Sequence, residues 1–451
     1  MKLSLPTCAF FVALSLPVMG GEKASTKEPV LPPPDDNPLS LLEGRVVFDF
    51  QERLRFEYRE NNFDFNDSVN SLTDDSWLLQ RARLGVKIKP TDFLTFYVQG
   101  QSSFEIDSDR PNVPGALGAE GDDPIDLRQA YVQIGDKNFN VTIGRQLLSF
   151  GDERLVGGFD WNNIGRTFDA VKLHYGAELW SLDAFASSVV VPDKDGFNDS
   201  DAFDGNETGR DQIFSGLYFS TKAVPVQVTD LYVFHLHESY AVGDSNFATL
   251  GVRVKADPAK LGGFDYESEM AFQFGDVKGK DLTAFAGHWG AGYVWLKSAW
   301  KPRLFVEYNY ATGDSDPSDG DVGTFQNLFP TNHKFYGYMD VFSWQNIHNP
   351  AVSFSMMPSK TVKLQLDYHG FWIADTADSW YRANGVTAVR PVKAGADSFA
   401  GTELDFTVSW KAAKHLSFLA GYSHFFAGDY LKATGASDDA DFAYVQMTID
   451  F

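Results

Sequence analysis

The stretch RVVFDFQERLRFEYRE, residues 45–60, sets Val46, Phe48, Phe50, Leu54, Phe56 and Tyr58 at one parity, with Glu52 as the exception, and Asp49, Gln51, Arg53, Arg55, Glu57 and Arg59 at the other. In an extended chain successive side chains point to opposite faces, so this is a strand with one apolar and one charged face. The last residues repeat the pattern, Ala443, Val445, Met447, Ile449 and Phe451 alternating with Tyr444, Gln446, Thr448 and Asp450. Soluble sandwiches alternate too. What separates the two cases is the rhythm of connections, tight near 90–92, 135–138, 222–225 and 358–360 and long at 107–124, 192–210, 313–349 and 428–441, with a moderate joint expected at 275–281. No window after residue 20 holds the ~18 consecutive apolar residues that a spanning helix needs. A chain of this kind crosses a membrane only as a closed sheet, in which every backbone polar group is paired. The sequence is therefore read as all-β: a closed antiparallel transmembrane β-barrel of about 18 strands, with long extracellular loops and short periplasmic turns.

The N-terminal residues name the membrane. Residues 1–20 carry Lys2, an apolar run over 9–16 and a small-residue end at Gly20 and Gly21, the pattern of a secretory signal peptide. Residues 21–44, with Pro29, Pro32, Pro33, Pro34 and Pro38, read as a Pro-rich periplasmic arm, and 45–451 as the barrel. The single cysteine, Cys8, falls in the leader. Aromatic residues make up 15% while mean hydropathy is only -0.24, which suits rings anchored at a membrane surface on a chain that is not hydrophobic overall. These features point to the bacterial outer membrane, with its lipid and lipopolysaccharide as surroundings. Phe451, an aromatic closing an amphipathic strand, resembles the signal read by the outer-membrane assembly machinery.

Longer blocks carry a resemblance. DLRQAYVQIG (126–135), IGRQLLSFGDERLVGG (143–158) and DWNNIGRTFDAVKL (160–173), together with FPTNHKFYGYMD (329–340), resemble the alginate-export family of bacterial outer-membrane barrels. The resemblance implies an 18-stranded barrel and passage of an anionic polysaccharide.

Charge locates the candidate pore. The chain holds 38 basic and 61 acidic residues, formally -23, or -24 once Lys2 leaves with the leader. Much of the acid is in outer loops: Asp107, Asp109, Glu120, Asp122 and Asp123; Asp193, Asp195, Asp199, Asp201 and Asp204; Asp438, Asp439 and Asp441. These read as solvated, with divalent cations bridging them to lipopolysaccharide as the second reading. On the polar parity the first strands contribute Arg53, Arg55, Arg59, Arg81, Arg83 and Lys87, and the family-like stretch adds Arg128, Arg145, Arg154, Arg166 and Lys172. These are expected to line the pore. The turn after Phe150, with Asp152 and Glu153, is expected to fold inward through paired charges and narrow it. Asp265, Glu267, Glu269, Glu307, Asp367, Glu403 and Asp405 should form an opposing acidic wall and set up a transverse field. Outer-loop charges more than about 8 Å away are screened, so an anion preference is expected despite the net charge. Replacing a lumen arginine such as Arg53 is expected to alter current at little cost in stability.

Two smaller signals concern metals. Asp314, Asp316, Asp319 and Asp321 sit near Gly320 in an oxygen-rich loop without EF-hand spacing, leaving calcium as a minor reading beside plain solvation. His235 and His237 share one strand face and read as a lumen-facing pair rather than a metal site.

Three functions compete. The first is a passive channel exporting an alginate-like anionic polysaccharide, the arginines offering successive weak sites for carboxylates. The second is a porin for small solutes, anionic ones among them, favoured by the acidic opposing wall, which would repel a polyuronate. The third, a barrel enzyme, lacks any Ser/His/Asp grouping that the pattern brings together. The expectation is a monomeric transport protein with no catalytic residue and no cofactor except calcium at the loops. The acidic balance disfavours nucleic acid.

Overall fold

The computed structural model describes residues 39–69, 74–112, 119–193, 195–200, 211–239 and 243–451. The leader and most of the arm, and with them Asp201 and Asp204, lie outside the described residues. Among those described, the long strands are β1 (Val46–Glu60), β2 (Asp75–Thr91), β3 (Leu94–Ile106), β4 (Asp123–Gly135), β5 (Phe139–Gln146), β6 (Phe168–Gly176), β7 (Trp180–Val191), β8 (Asp211–Thr221), β9 (Gln227–Ser239), β10 (Ser245–Ala256), β11 (Phe264–Val277), β12 (Lys280–Val294), β13 (Arg303–Ala311), β14 (Ile347–Met356), β15 (Val362–Ile373), β16 (Phe399–Ala413), β17 (Leu416–Ala427) and β18 (Ala440–Asp450). They form the 18-strand closed antiparallel barrel.

Each strand pairs with the next, and β18 returns to β1 in register from Gln51↔Asp450 to Glu60↔Asp441. Closure leaves no open sheet edge. Phe451 adds the last rung, its N–H donating to the Phe50 carbonyl at 2.9 Å and its own carbonyl accepting from the Phe50 N–H at 3.3 Å. Ahead of β1, Ser40–Leu41 folds back on Val46 and Val47 as a short antiparallel strand.

The parity read from residues 45–60 holds. Arg53, Arg55, Glu57 and Arg59 are buried on the inner face, while Phe56 and Tyr58 are exposed on the outer one. Exposed rings cluster beside the short turns: Phe93, Phe139, Trp180, Phe264 and Trp300. Such a belt anchors a barrel at the membrane interface.

One joint departs from expectation. The moderate loop at 275–281 is a hairpin of two residues, Lys278 (φ 51°) and Gly279 (φ 80°), so β11 and β12 run on past where the sequence suggested. Two positive φ values match the twist of the flanking strands.

The histidine pair is also corrected. On β9 the inner residues are Asp230, Tyr232, Phe234 and Leu236, all buried, whereas exposed Leu231 shares the parity of His235 and His237. His235 bonds Asn246 at 2.6 Å, and the pair faces outward. LYVFHLH is apolar at both parities, so alternation could not choose a face.

Candidate functional site: a knitted constriction

Residues 147–167, between β5 and β6, turn into the barrel. One side of this loop is held by rings: Phe150 stacks on Tyr218 (4.8 Å between centroids) and Phe185 (5.3 Å) and touches Phe234 (5.9 Å). Phe168 at its far end meets Phe329 at 5.3 Å. Burying each such ring is worth about 1.5–3 kcal/mol, so this end of the loop is fixed by packing rather than by charge.

The other side meets the arginines of β1–β4. Asp160 is the centre: its carboxylate lies 2.7 Å from Arg83, 3.3 Å from Arg81 and 3.5 Å from Arg128. The Asp160 main-chain carbonyl accepts from Arg53 (2.7 Å) and Arg81 (3.2 Å). Arg53 also reaches the Asn162 carbonyl and Asn163 Oδ1. Arg55 is fully buried between Glu57 (2.6 Å) and Glu120 (2.7 Å), bonds the Trp161 carbonyl and covers the Trp161 ring at 3.8 Å. Glu120 reaches back to accept from the Asn163 N–H. Gly165 (φ 78°) is required where Arg128 and Arg83 cross the loop, since a Cβ there would lie 2.9 Å from Arg128 Nη1.

The arginine ladder is therefore on the inner wall, but its donors are engaged by the loop. This overturns the expectation that Arg53 could be replaced cheaply, because its removal strands Asn163 Oδ1 and leaves the Asp160 and Asn162 carbonyls with Arg81 alone. An unmet buried group costs about 1–3 kcal/mol, a cost that falls on the seating of the loop.

A second inward loop, 312–346, completes the constriction. Its Phe329 N–H donates to the Leu155 carbonyl (2.8 Å), the Gly157 N–H to the Phe329 carbonyl (2.8 Å) and the Thr331 N–H to the Glu153 carbonyl (2.9 Å). Gly157 permits this approach; a Cβ would come within 2.5 Å of Thr331 Oγ1. Two of the four sequence blocks that carried the family resemblance, 143–158 and 329–340, thus meet side by side in the lumen. Trp161 stacks on His333 at 3.7 Å, and Arg166 donates to the Gly157 and Pro330 carbonyls. Burial pushes the Arg166 guanidinium down to about 10, against the pull of Glu153.

The remaining candidates divide. Asp152 accepts from Arg253 (2.7 Å) and Lys255 (2.9 Å), and Glu153 from Thr331 Oγ1 (2.8 Å). Arg154 crosses to the far wall, where it meets Asn309 (3.3 Å), the Tyr336 hydroxyl (3.2 Å) and Glu269 (3.8 Å). Arg59 bonds the Met339 carbonyl at 3.1 Å. Lys172 pairs in register with inward Phe185, and Lys87 lies 5.6 Å from the Tyr97 ring. Arg145 does not join the Asp160 group: its partners are Asp169 (2.9 Å), Asp126 (3.8 Å) and the Leu127 and Asn198 carbonyls.

The opposing acidic wall needs correction. In an 18-strand ring β11 and β13 stand across from β2 and β4, but β16 reaches β1 through β17 and β18 alone. Glu403 and Asp405 therefore flank the arginines rather than face them, as does Asp367 on β15. Across the barrel the acids are met locally, Asp265 by Arg303 (2.9 Å) and Glu267 by Lys255 (3.0 Å). A simple transverse field is not what these pairs produce.

The aspartates at 314–321 do not gather around a point. Asp314, Asp316 and Asp319 accept from the N–H two residues on, at Asp316, Ser318 and Asp321, in successive turns. Outer-loop acids do structural work as well, Asp122 capping the Glu105 N–H and Asp438 the Asp67 N–H.

Sequence reading missed the importance of Asp160, Glu120 and the lumenal rings. Asp160 could have been flagged as the acid nearest four wall arginines only once the loop was known to fold between them. Burial alone would raise its carboxyl, but Arg83, Arg81, Arg128 and Arg53 outweigh this and hold it well below the usual carboxylate range. A carboxyl lowered in the seated loop stabilises that seat at every pH above its free value, ~3.9, and gives this up as pH falls through the depressed pKa. Conductance is expected to show an acid step below pH ~4 that Asp160→Asn abolishes. A step shared by both proteins would assign it to another group.

The alginate export family model matches residues 45–445, taking in β1 to β17, the first half of β18 and both inward loops. The chain belongs to the alginate export family. Among solved structures this member of the alginate export family is similar to Pseudomonas aeruginosa OccK11 (OpdR), with a TM-score of 0.58 at 11% identity over 90% of this chain and 96% of that one. It is likewise similar to P. aeruginosa OccD3 (OpdP), TM-score 0.59, 13% identity, over 91% and 92% of the two chains. P. aeruginosa OpdK, crystallised with vanillate, gives 0.59 at 10% identity over 90% and 98%. No curated protein matches the sequence. Alginate-export membership with this barrel makes the protein a bacterial outer-membrane channel.

Proposed function

We propose that the channel passes carboxylate-bearing solutes passively, with uronate saccharides of the alginate type as the leading cargo. The observation that carries this reading is the charge imbalance at the constriction. Arg81, Arg83 and Arg128 converge on one carboxylate, Asp160, whose side chain remains 59% exposed, while Arg53 holds the same residue by its main-chain carbonyl. A carboxylate cargo arriving there meets an excess of guanidinium charge, and repeated weak pairing suits conduction better than one tight site. Membership of the alginate export family supports the polysaccharide.

A second reading, diffusion of small anions, is favoured by one feature. The two inward loops are joined by three backbone hydrogen bonds, together worth roughly 1.5–4.5 kcal/mol, and a polymer would have to pass beside them or part them. The OpdK structure with vanillate, itself a small carboxylate, belongs with that reading.

Single-channel recording separates the two. Alginate oligomers are expected to interrupt the current with dwell times that lengthen with chain length, while neutral sugars of equal size do not. Block by short acids alone, independent of oligomer length, would leave the small-anion porin. No block by either would defeat the carboxylate reading.

A further inference from the structure

The inner faces of β11, β12 and β13 meet at His288, which is only 2% exposed. Asn309 fixes its protonation. The Asn309 amide group donates through Nδ2 to Glu307 Oε1 (3.1 Å) and Asn349 Oδ1 (3.0 Å). Its Oδ1 therefore faces Arg154 Nη1 (3.3 Å), which can only donate, and His288 Nδ1 (2.8 Å). The reversed amide would set NH2 against guanidinium and carbonyl against carboxylate, so Nδ1 carries a proton. In a neutral ring Nε2 is then a bare lone pair. It points at Glu267 Oε1, another acceptor, 3.2 Å away. Two lone pairs facing each other in a buried place require a proton or a metal cation between them.

We propose that a divalent cation of the zinc class binds here, held by His288 Nε2 with the carboxylates of Glu267 and Glu307. One ligand atom from each residue lies within 4.8 Å of the other two, and Glu307 Oε2, 4.0 Å from the Nδ1 side of the ring, turns toward Nε2 to join them. The 3.2 Å gap between Nε2 and Oε1 is what two ligands about 2.1 Å from a common ion subtend at roughly 100°. A mixed imidazole and carboxylate set suits zinc, whereas calcium and magnesium favour oxygen alone. Asn309 is then the outer partner that donor-locks the ring, as bound histidines usually have. Lys255 Nζ, 3.0 Å from Glu267 Oε2, holds the charge balance until an ion arrives. Its side chain is 44% exposed and keeps Asp152, at 2.9 Å, as its partner when it leaves Glu267.

The test uses the full barrel, refolded in detergent, stripped with chelator and titrated with zinc chloride by calorimetry, with heat-modifiable mobility confirming each variant's fold. One zinc per barrel is expected. Affinity should fall about tenfold or more in His288→Gln and in Glu267→Gln, stay unchanged in the outward-facing His235→Gln, and rise in Lys255→Met, where the competing ammonium is gone. Equal zinc binding by wild type and His288→Gln would overturn the site. So would the absence of zinc binding to wild type, which would make His288 an imidazolium between Glu267 and Asn309.

Discussion

Asp160→Asn is expected to shift the reversal potential in a salt gradient further toward anions and to raise open-channel noise, without loss of folded barrel. The substitution keeps the main-chain carbonyl that Arg53 and Arg81 grip, so the loop retains part of its seat. What it removes is the one negative charge shared by Arg81, Arg83 and Arg128. Taking a partner from a fully buried pair costs about 3–5 kcal/mol. With 59% of the Asp160 side chain toward water, the cost moves toward the ~1 kcal/mol or less of exposed pairs. The uncovered charge acts on a permeating ion ~8 Å away by about 0.5–2 kcal/mol, for an effective dielectric between bulk water and ~20. That is roughly a 2- to 30-fold gain in anion occupancy. Unchanged selectivity together with unchanged noise would mean that ions pass elsewhere in the lumen, and that this arginine cluster is structural.

The strands were legible because lipid on one side and water on the other write a period of two into residues 45–60 and 443–451. Where both faces are apolar, as in LYVFHLH of β9, the same rule is silent, because Phe234 packs against Phe150 and Tyr232 stacks on Phe234 rather than facing water. The candidate site was legible as composition but not as contact. Arg53, Arg81 and Arg83 could be assigned to the inner face from parity. Their engagement with Asp160 depends on how a loop 77 to 107 residues further along the chain folds back, and no local pattern encodes that. The acidic wall failed for a related reason: parity gives the face of a strand, while its position around the ring depends on closure between β18 and β1. His288 stayed hidden because its meaning lies in which end of the Asn309 amide it touches.

Two adjacent residues at the middle of β16 offer the sharpest test of which face meets lipid. Phe406 is 44% exposed and lies in register between Leu366 and Tyr422, both exposed on the outer surface. An arginine at that depth must lose its hydration or thin the bilayer around it, a cost of about 2–4 kcal/mol on a lipid face near the midplane. Thr407, the next residue, points inward and is paired with Gln365 and Gly421. Two residues along the same inner face lies Asp405, itself opposite Asp367. An arginine at 407 would therefore arrive beside two carboxylates in a polar lumen. Phe406→Arg is expected to cut the heat-modifiable, protease-resistant fraction after refolding into vesicles, and Thr407→Arg to fold normally while changing the current. The reverse order would shift the register of β16 by one residue and turn its acids toward lipid, which no barrel of this sequence could tolerate. Equal folding of both would mean that this segment does not face a bilayer.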